Sequence, residues 1–256
     1  MTLKELTLWG ERDKVQIAIE RLRAFEPPEG YFGAFSGGKD STVIKALADM
    51  ASVKVDWHYS LTTVDPPELV RFIRDWHPNV AIDKPKYTMW ELIPRQRMPP
   101  TRLHRYCCED LKEHGGIGRV VLTGIRAEES PARAKRGMVE QCYKVQKSYI
   151  HPIIDWTEYD VWTFIHERGL PFCSLYSEGW KRIGCIMCPF GHKKQRMAQA
   201  ARWPKYYAAY LRAFERLVQV RRANGNPRTW QTGQEVMDWW LNEAQHVPDE
   251  QMEMFA

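Results

Sequence analysis

Ser36-Gly37-Gly38-Lys39-Asp40-Ser41 is the stretch from which this chain is read. Just upstream lies a short apolar run, Tyr31-Phe32-Gly33-Ala34-Phe35, with the character of a strand. Just downstream Val43, Leu47 and Met50 recur at helical spacing. The two glycines therefore fall at a strand-to-helix turn, where backbone N–H groups and the helix dipole favour an anion. Adjacent glycines let the backbone close on a phosphate without a Cβ in the way. Lys39 adds a mobile positive charge. The spacing is not that of a Walker A loop, which needs Gly-x-x-x-x-Gly-Lys-Ser/Thr.

Around this turn the first ~155 residues alternate strand-like and helix-like segments, the pattern of a parallel α/β sheet. Strands are expected at 31–35, 53–61, 80–83, 119–125 and 147–153, and helices at 11–25, 39–50, 67–76 and 107–114. Ligands of such sheets bind at the carboxyl ends of the strands, near the switch point. A further helix starts at Thr157, where Thr157 and Asp160 form a capping-box pair. Its stripe is Val161, Phe164 and Ile165, and Gly169 with Pro171 stops it. Pro204 opens a long helix with Tyr207, Leu211, Phe214, Val218 and Arg221 on one face. Thr232 with Glu235 caps another, carrying Val236, Trp239 and Trp240. The expected organisation is an α/β domain over 1–190 and a helical appendage over 191–256.

The 256 residues are 44% hydrophobic and 27% charged, which suits a soluble globular protein. No apolar run is long enough to span a bilayer. The opening residues lack the basic-then-apolar layout of a signal peptide, which predicts a cytoplasmic location and reduced thiols. Six cysteines there point to metal or redox chemistry before disulfides. The net charge of +5 fits anionic nucleotides and permits nucleic acid without demanding it.

Cys107 and Cys108 are adjacent, and Cys185 and Cys188 form a Cys-x-x-Cys. Four thiolates can close a tetrahedral zinc site or hold a [4Fe–4S] cluster. Adjacent cysteines are unusual for structural zinc. Arg126 and Arg133 follow the strand at 119–125 and suit bidentate contacts to phosphate or sulfate. Lys112 falls one helical turn beyond Cys108, within reach of a cluster or a nucleotide. Asp40 can hold Mg²⁺ or cap the helix that begins beside it.

The glycine turn resembles the PP-loop of the ATP pyrophosphatases, which grip ATP or a related adenine nucleotide. Six segments together resemble the phosphoadenosine-phosphosulfate (PAPS) reductase family of PP-loop enzymes. They are Ser36–Ser41, Thr62–Glu68, Cys107–Lys112, Gly124–Arg133, the run from Pro152 to Phe172, and Leu175–Pro189, and they occur in family order. The resemblance implies an adenine-nucleotide α hydrolase-like, Rossmann-like fold. It implies nucleotide contacts from Ser36, Gly37, Gly38, Lys39, Asp40, Ser41, Thr62, Glu68, Gly124, Arg126 and Arg133. It implies catalytic roles for Lys39, Asp40, Lys112 and Arg126, and a [4Fe–4S] cluster on Cys107, Cys108, Cys185 and Cys188.

Sulfonucleotide reductases of this family carry a further nucleophilic cysteine in a Glu-Cys-Gly-Leu-His motif near the C-terminus. Here no cysteine follows Cys188. Only Cys142 and Cys173 remain as replacements, against a reading of both as packed thiols. The departure favours the cluster-bearing, DndC-like branch, in which ATP activates a substrate, pyrophosphate leaves and sulfur then enters. DNA or RNA is an acceptor class for that chemistry, and a partner protein would supply sulfur or electrons. The alternatives are a reductase with a non-standard nucleophile or a partner's thiol, a nucleotide- and cluster-binding regulator, and a zinc-bearing relative. Gln251-Met252-Glu253-Met254-Phe255 also resembles the peptide by which bacterial proteins dock on the replication sliding clamp.

Overall fold

The computed structural model describes residues 3–7, 10–143, 146–225 and 230–242. In chain order its elements are β1 (Lys4–Thr7), β2 (Gly10–Asp13), α1 (Lys14–Ala24), β3 (Tyr31–Ala34), α2 (Lys39–Ala51), β4 (Val55–Ser60) and α3 (Pro67–Trp76). There follow β5 (Ala81–Asp83), α4 (Met89–Gln96), α5 (Tyr106–Leu111), β6 (Val120–Leu122), α6 (Pro131–Ala134), β7 (Val139–Cys142), β8 (Lys147–Ile150) and α7 (Glu158–Glu167). The last are α8 (Lys193–Arg202), α9 (Pro204–Ala223) and α10 (Gly233–Asn242). Short 3₁₀ turns lie at Ala127–Glu129 and Ser174–Tyr176. None of the helices described is long and apolar enough to cross a membrane.

The chain divides into two units. The first holds Met1–Ser60, Pro67–Asp83 and Gly115–Ile183, and contains every strand among the described residues. Its main sheet has the order β5-β4-β3-β6-β8-β7, parallel except for β7, which runs antiparallel to β8. The chain winds from β3 outward through β4 to β5, then returns to lay β6 on the other side of β3. That reversal makes a switch point between β3 and β6. The sheet and its helices form the Rossmann-like α/β fold expected from the alternating pattern.

Local chemistry explains the elements. Asp13 caps α1 by accepting the Val15 and Gln16 amides, and Val15, Ala18, Ile19 and Leu22 make its buried stripe. In α2 the buried set is Val43, Ile44, Leu47, Ala48 and Ala51. The Thr157–Asp160 capping box is formed, and Val161, Phe164 and Ile165 are buried. Tyr31 is fully buried on β3, with its hydroxyl donating to the Leu22 carbonyl at 2.8 Å. The strand expected at 147–153 ends at Ile150, because Pro152 has no N–H for the ladder. The β1–β2 hairpin and edge strand β7 were not anticipated, being only four residues each.

The second unit holds Leu61–Pro66, Lys84–His114 and Gly184–Ala256. Its regular elements among the described residues are all helical. Two earlier segments, Leu61–Pro66 and Lys84–His114 with α4 and α5, are grouped with the late helices. Both α4 and α10 pack on α9. That double contact widens the buried face of α9 to Tyr210, Ala213, Phe214, Leu217 and Val218, while Tyr207 and Leu211 are only half-buried. Thr232 accepts the Glu235 amide at 3.2 Å to start α10. The segment Gln251–Phe255 lies outside the described residues.

Candidate functional site

The glycine turn sits at the carboxyl end of β3, beside the switch point. Gly37 has φ of +71°, and a Cβ there would stand 2.7 Å from Leu69 Cδ1 and 2.8 Å from Ile73 Cδ1. Only glycine fits both demands. Gly38 is the N-cap of α2 and, having no side chain, makes no cap hydrogen bond of its own. The turn is braced from below. Ser41 Oγ donates to the Gly38 carbonyl at 2.9 Å, and the Ser36 and Ser41 hydroxyls bond at 3.2 Å. From the Ser174–Tyr176 turn, the Tyr176 hydroxyl accepts the Lys39 amide at 2.9 Å. Burial pushes the Tyr176 phenol up, so it remains neutral.

Side-chain charge gathers at the same edge. Lys39 Nζ lies 3.2 Å from Asp40 Oδ2, and Arg126 Nε donates to Asp40 Oδ1 at 2.7 Å. Arg126 Nη1 reaches Glu128 at 2.8 Å. Burial opposes the charge on Arg126, yet Asp40 and Glu128 outweigh it and hold the guanidinium protonated. Asp40 does not cap α2, whose N-cap is Gly38; it ties Lys39 to Arg126. Gly124 permits this tie, because a Cβ there would lie 2.9 Å from backbone and Cβ atoms of Asp40. Arg133, on α6, pairs with Glu129 at the end of the preceding 3₁₀ turn. Glu68 lies in the first turn of α3.

The four paired cysteines belong to the second unit. Cys107 and Cys108 lie in the first turn of α5. The Cys185–Cys188 turn is shaped by Met187, at φ of +58°. Its backbone is held by three neighbours. The Ile186 amide donates to Val64 O at 2.8 Å, the Met187 amide to Gln199 Oε1 at 2.7 Å, and Tyr210 Oη donates to Ile186 O at 3.1 Å. Cys185 Sγ lies 3.5 Å from Thr62 Oγ1, and the Thr62 amide donates to Asp65 at 2.6 Å. Cys107 feels the charges of Cys108, Cys188 and Cys185 together. Its thiol donates to Cys108, which drops below the ordinary thiol range while Cys107 rises. Lys112 follows α5, bonds Cys185, and is raised chiefly by that thiol. Among the described residues no three His, Cys, Asp or Glu side chains converge tightly enough to hold a single metal ion as they stand.

Residues 30–190 match the model of the phosphoadenosine phosphosulfate reductase domain. The chain belongs to this family. An uncharacterized protein of Methanocaldococcus jannaschii is 28% identical over 195 residues, covering 72% of this chain and 47% of that protein. A 37.8 kDa protein of Escherichia phage 186 is 32% identical over 152 residues, 54% of this chain and 44% of its own length. The adenosine 5'-phosphosulfate reductase of Oceanobacillus iheyensis is 26% identical over 164 residues, 61% of this chain and 67% of its own. The chain thus spans about half the length of the first two relatives. Among solved structures, the phosphoadenylyl-sulfate (PAPS) reductase from Candida auris is similar at 21% identity and a TM-score of 0.49, over 66% of this chain and 87% of that one.

Within this PAPS reductase family frame the remaining thiols separate clearly. Cys173 is fully buried ahead of the Ser174–Tyr176 turn, and burial pushes its thiol up. Cys142 ends edge strand β7. Cys142 stands opposite Lys147 across the β7–β8 ladder. Sequence reasoning did not single out Tyr176, which it carried only within the Leu175–Pro189 segment. It also missed Thr123, whose hydroxyl shares a 2.6 Å hydrogen bond with buried His151 just after β6. No local signal exists for either contact, since each joins residues from distant segments.

Proposed function

We propose that the chain is a PP-loop adenine-nucleotide enzyme that activates an acceptor for sulfur transfer. The acceptor attacks the α-phosphorus of ATP, and the α–β bond electrons leave with pyrophosphate. The observation carrying this reading is the Gly37–Gly38 turn, whose N-cap has no side chain, with Lys39 and Asp40 in the first turn of α2 and Arg126, after β6, paired to Asp40. First-turn amides and Lys39 suit the charge of a departing pyrophosphate. Asp40 is the residue that would hold Mg²⁺. One of its oxygens is bonded to Arg126 and the other to Lys39, so an ion there would share Asp40 with Lys39.

The donor chemistry of the second unit fits a [4Fe–4S] cluster on Cys107, Cys108, Cys185 and Cys188. Cys108, Cys188 and Cys185 all act electrostatically on Cys107, which places the four thiols in one neighbourhood. Lys112 and Thr62 stand beside Cys185 to offset thiolate charge. When bound, such a cluster supplies sulfur handling or electrons. The second unit also carries all of the chain's net charge. It has 17 Lys and Arg against 12 Asp and Glu, where the first unit has 20 of each. That excess supports an anionic acceptor such as nucleic acid.

A second reading, sulfonucleotide reduction, is favoured by relatives named adenosine 5'-phosphosulfate reductase. It needs a nucleophilic thiol from Cys142, Cys173 or a partner. The two readings part in one experiment. Anaerobically purified protein is incubated with Mg-ATP, and separately with adenosine 5'-phosphosulfate or PAPS. Pyrophosphate from ATP supports activation; sulfite from the sulfonucleotides, with no pyrophosphate from ATP, replaces it with reduction.

A further inference from the structure

Arg196, on α8, is completely buried. Its guanidinium lies over the Trp240 ring at 3.9 Å from the ring centre, and its Nη1 donates to the Trp240 carbonyl at 2.9 Å. Its Nε and Nη2 are buried with no hydrogen-bond partner. An arginine fully withdrawn from water with two open donors is costly, and native structures rarely leave such groups unanswered. Burial lowers its pKa only to about 10, so the side chain keeps its charge at neutral pH.

The place of Arg196 says what answers it. It lies on the helix that also carries Gln199, the acceptor for the Met187 amide inside the Cys-x-x-Cys turn. The Cβ direction of Gly191 points to Arg196 Cγ at 3.5 Å, and the Gly191 amide donates to the Cys188 carbonyl at 2.9 Å. Tyr210, whose hydroxyl donates to the Ile186 carbonyl at 3.1 Å, lies tilted against Trp240 with ring centres 4.9 Å apart. Thus α8, α9 and α10 build one aromatic and arginine layer beneath the cysteines.

We propose that Arg196 is a positioning residue for the metal–sulfur centre, directing its Nε and Nη2 hydrogens to Cys188 and the anion that the four cysteines hold. Trp240 fixes the guanidinium by stacking and by its carbonyl, leaving the remaining edge for sulfur. A charge of this kind in a dry setting favours the more reduced, more negative state of the centre. The inference rests on the cluster reading given above.

The test uses anaerobically purified full-length protein, wild type beside R196Q and R196K. Iron and acid-labile sulfide are measured first, then the midpoint potential of the chromophore, then the Fe–S stretching frequencies by resonance Raman. R196Q, which loses the charge, is expected to move the midpoint to more negative potential and to bind iron less tightly. R196K, which keeps the charge without the planar fork, is expected to shift the Fe–S frequencies with a smaller change in potential. Wild-type protein free of iron overturns the cluster reading and this proposal with it. A clustered wild type whose potential and Fe–S frequencies are matched by R196K overturns the role of Arg196 alone. If R196Q does not accumulate as folded protein, R196K alone carries the decision.

Discussion

Substituting alanine at Gly37 and at Gly38 separates the shape of the phosphate turn from its use. At Gly37 the positive φ costs an L-residue about 1–2 kcal/mol. The new Cβ would also lie 2.7 Å from Leu69 Cδ1 and 2.8 Å from two Ile73 atoms. Overpacking of that kind costs about 1–3 kcal/mol. G37A should therefore destabilise the folded protein by about 2–5 kcal/mol. With a urea slope of about 3 kcal/mol/M for a chain this size, the midpoint should fall by about 1 M. Gly38 differs. Its φ of −79° and ψ of 163° suit alanine, and its Cβ would meet only Ser36 Oγ and Tyr176 Oη at 3.4 Å. Losing glycine at an N-cap costs about 0.5–1 kcal/mol. G38A should thus unfold near the wild-type midpoint, yet bind Mg-ATP at least about tenfold more weakly, because a methyl group stands where phosphate oxygens approach. Circular dichroism in urea and titration calorimetry read the two quantities. G37A unfolding at the wild-type midpoint would refute the turn geometry. G38A binding ATP as tightly as wild type would refute phosphate binding there.

Three further outcomes are expected. K39A should weaken Mg-ATP binding by about 10- to 100-fold, the loss of one charge-assisted contact; unchanged affinity removes Lys39 from the phosphate site. C185S should lose the brown absorbance near about 400 nm expected of a cysteine-held cluster, and full iron retention would exclude Cys185 as a ligand. His77 is buried against Phe35 and Phe72, and burial lowers its pKa from 6.5 to about 4. The unfolded chain binds that proton more readily, so stability is intact above pH 6.5 and falls as the pH drops toward 4. The full loss is about 3 kcal/mol. H77L should flatten that fall in pH-dependent urea unfolding, and an unaltered slope would assign it to other groups.

What was legible in the sequence was what neighbours along the chain decide. Gly-Gly between a strand and a helix makes an anion turn because backbone conformation is local. Thr157 with Asp160 caps α7 because the bond spans one turn. The alternation of short apolar strands with amphipathic helices led to the parallel sheet. Tertiary structure decided everything that depends on who meets whom. No spacing rule joins Asp40 to Arg126, 86 positions apart, or Lys39 to Tyr176, 137 apart. The late helices hold the Cys-x-x-Cys turn through Gln199 and Tyr210, because only packing brings α8 and α9 to that loop. Periodicity shows that a helix has a buried face. It does not show what that face is buried against, since burial is settled by complementarity between segments far apart in the chain.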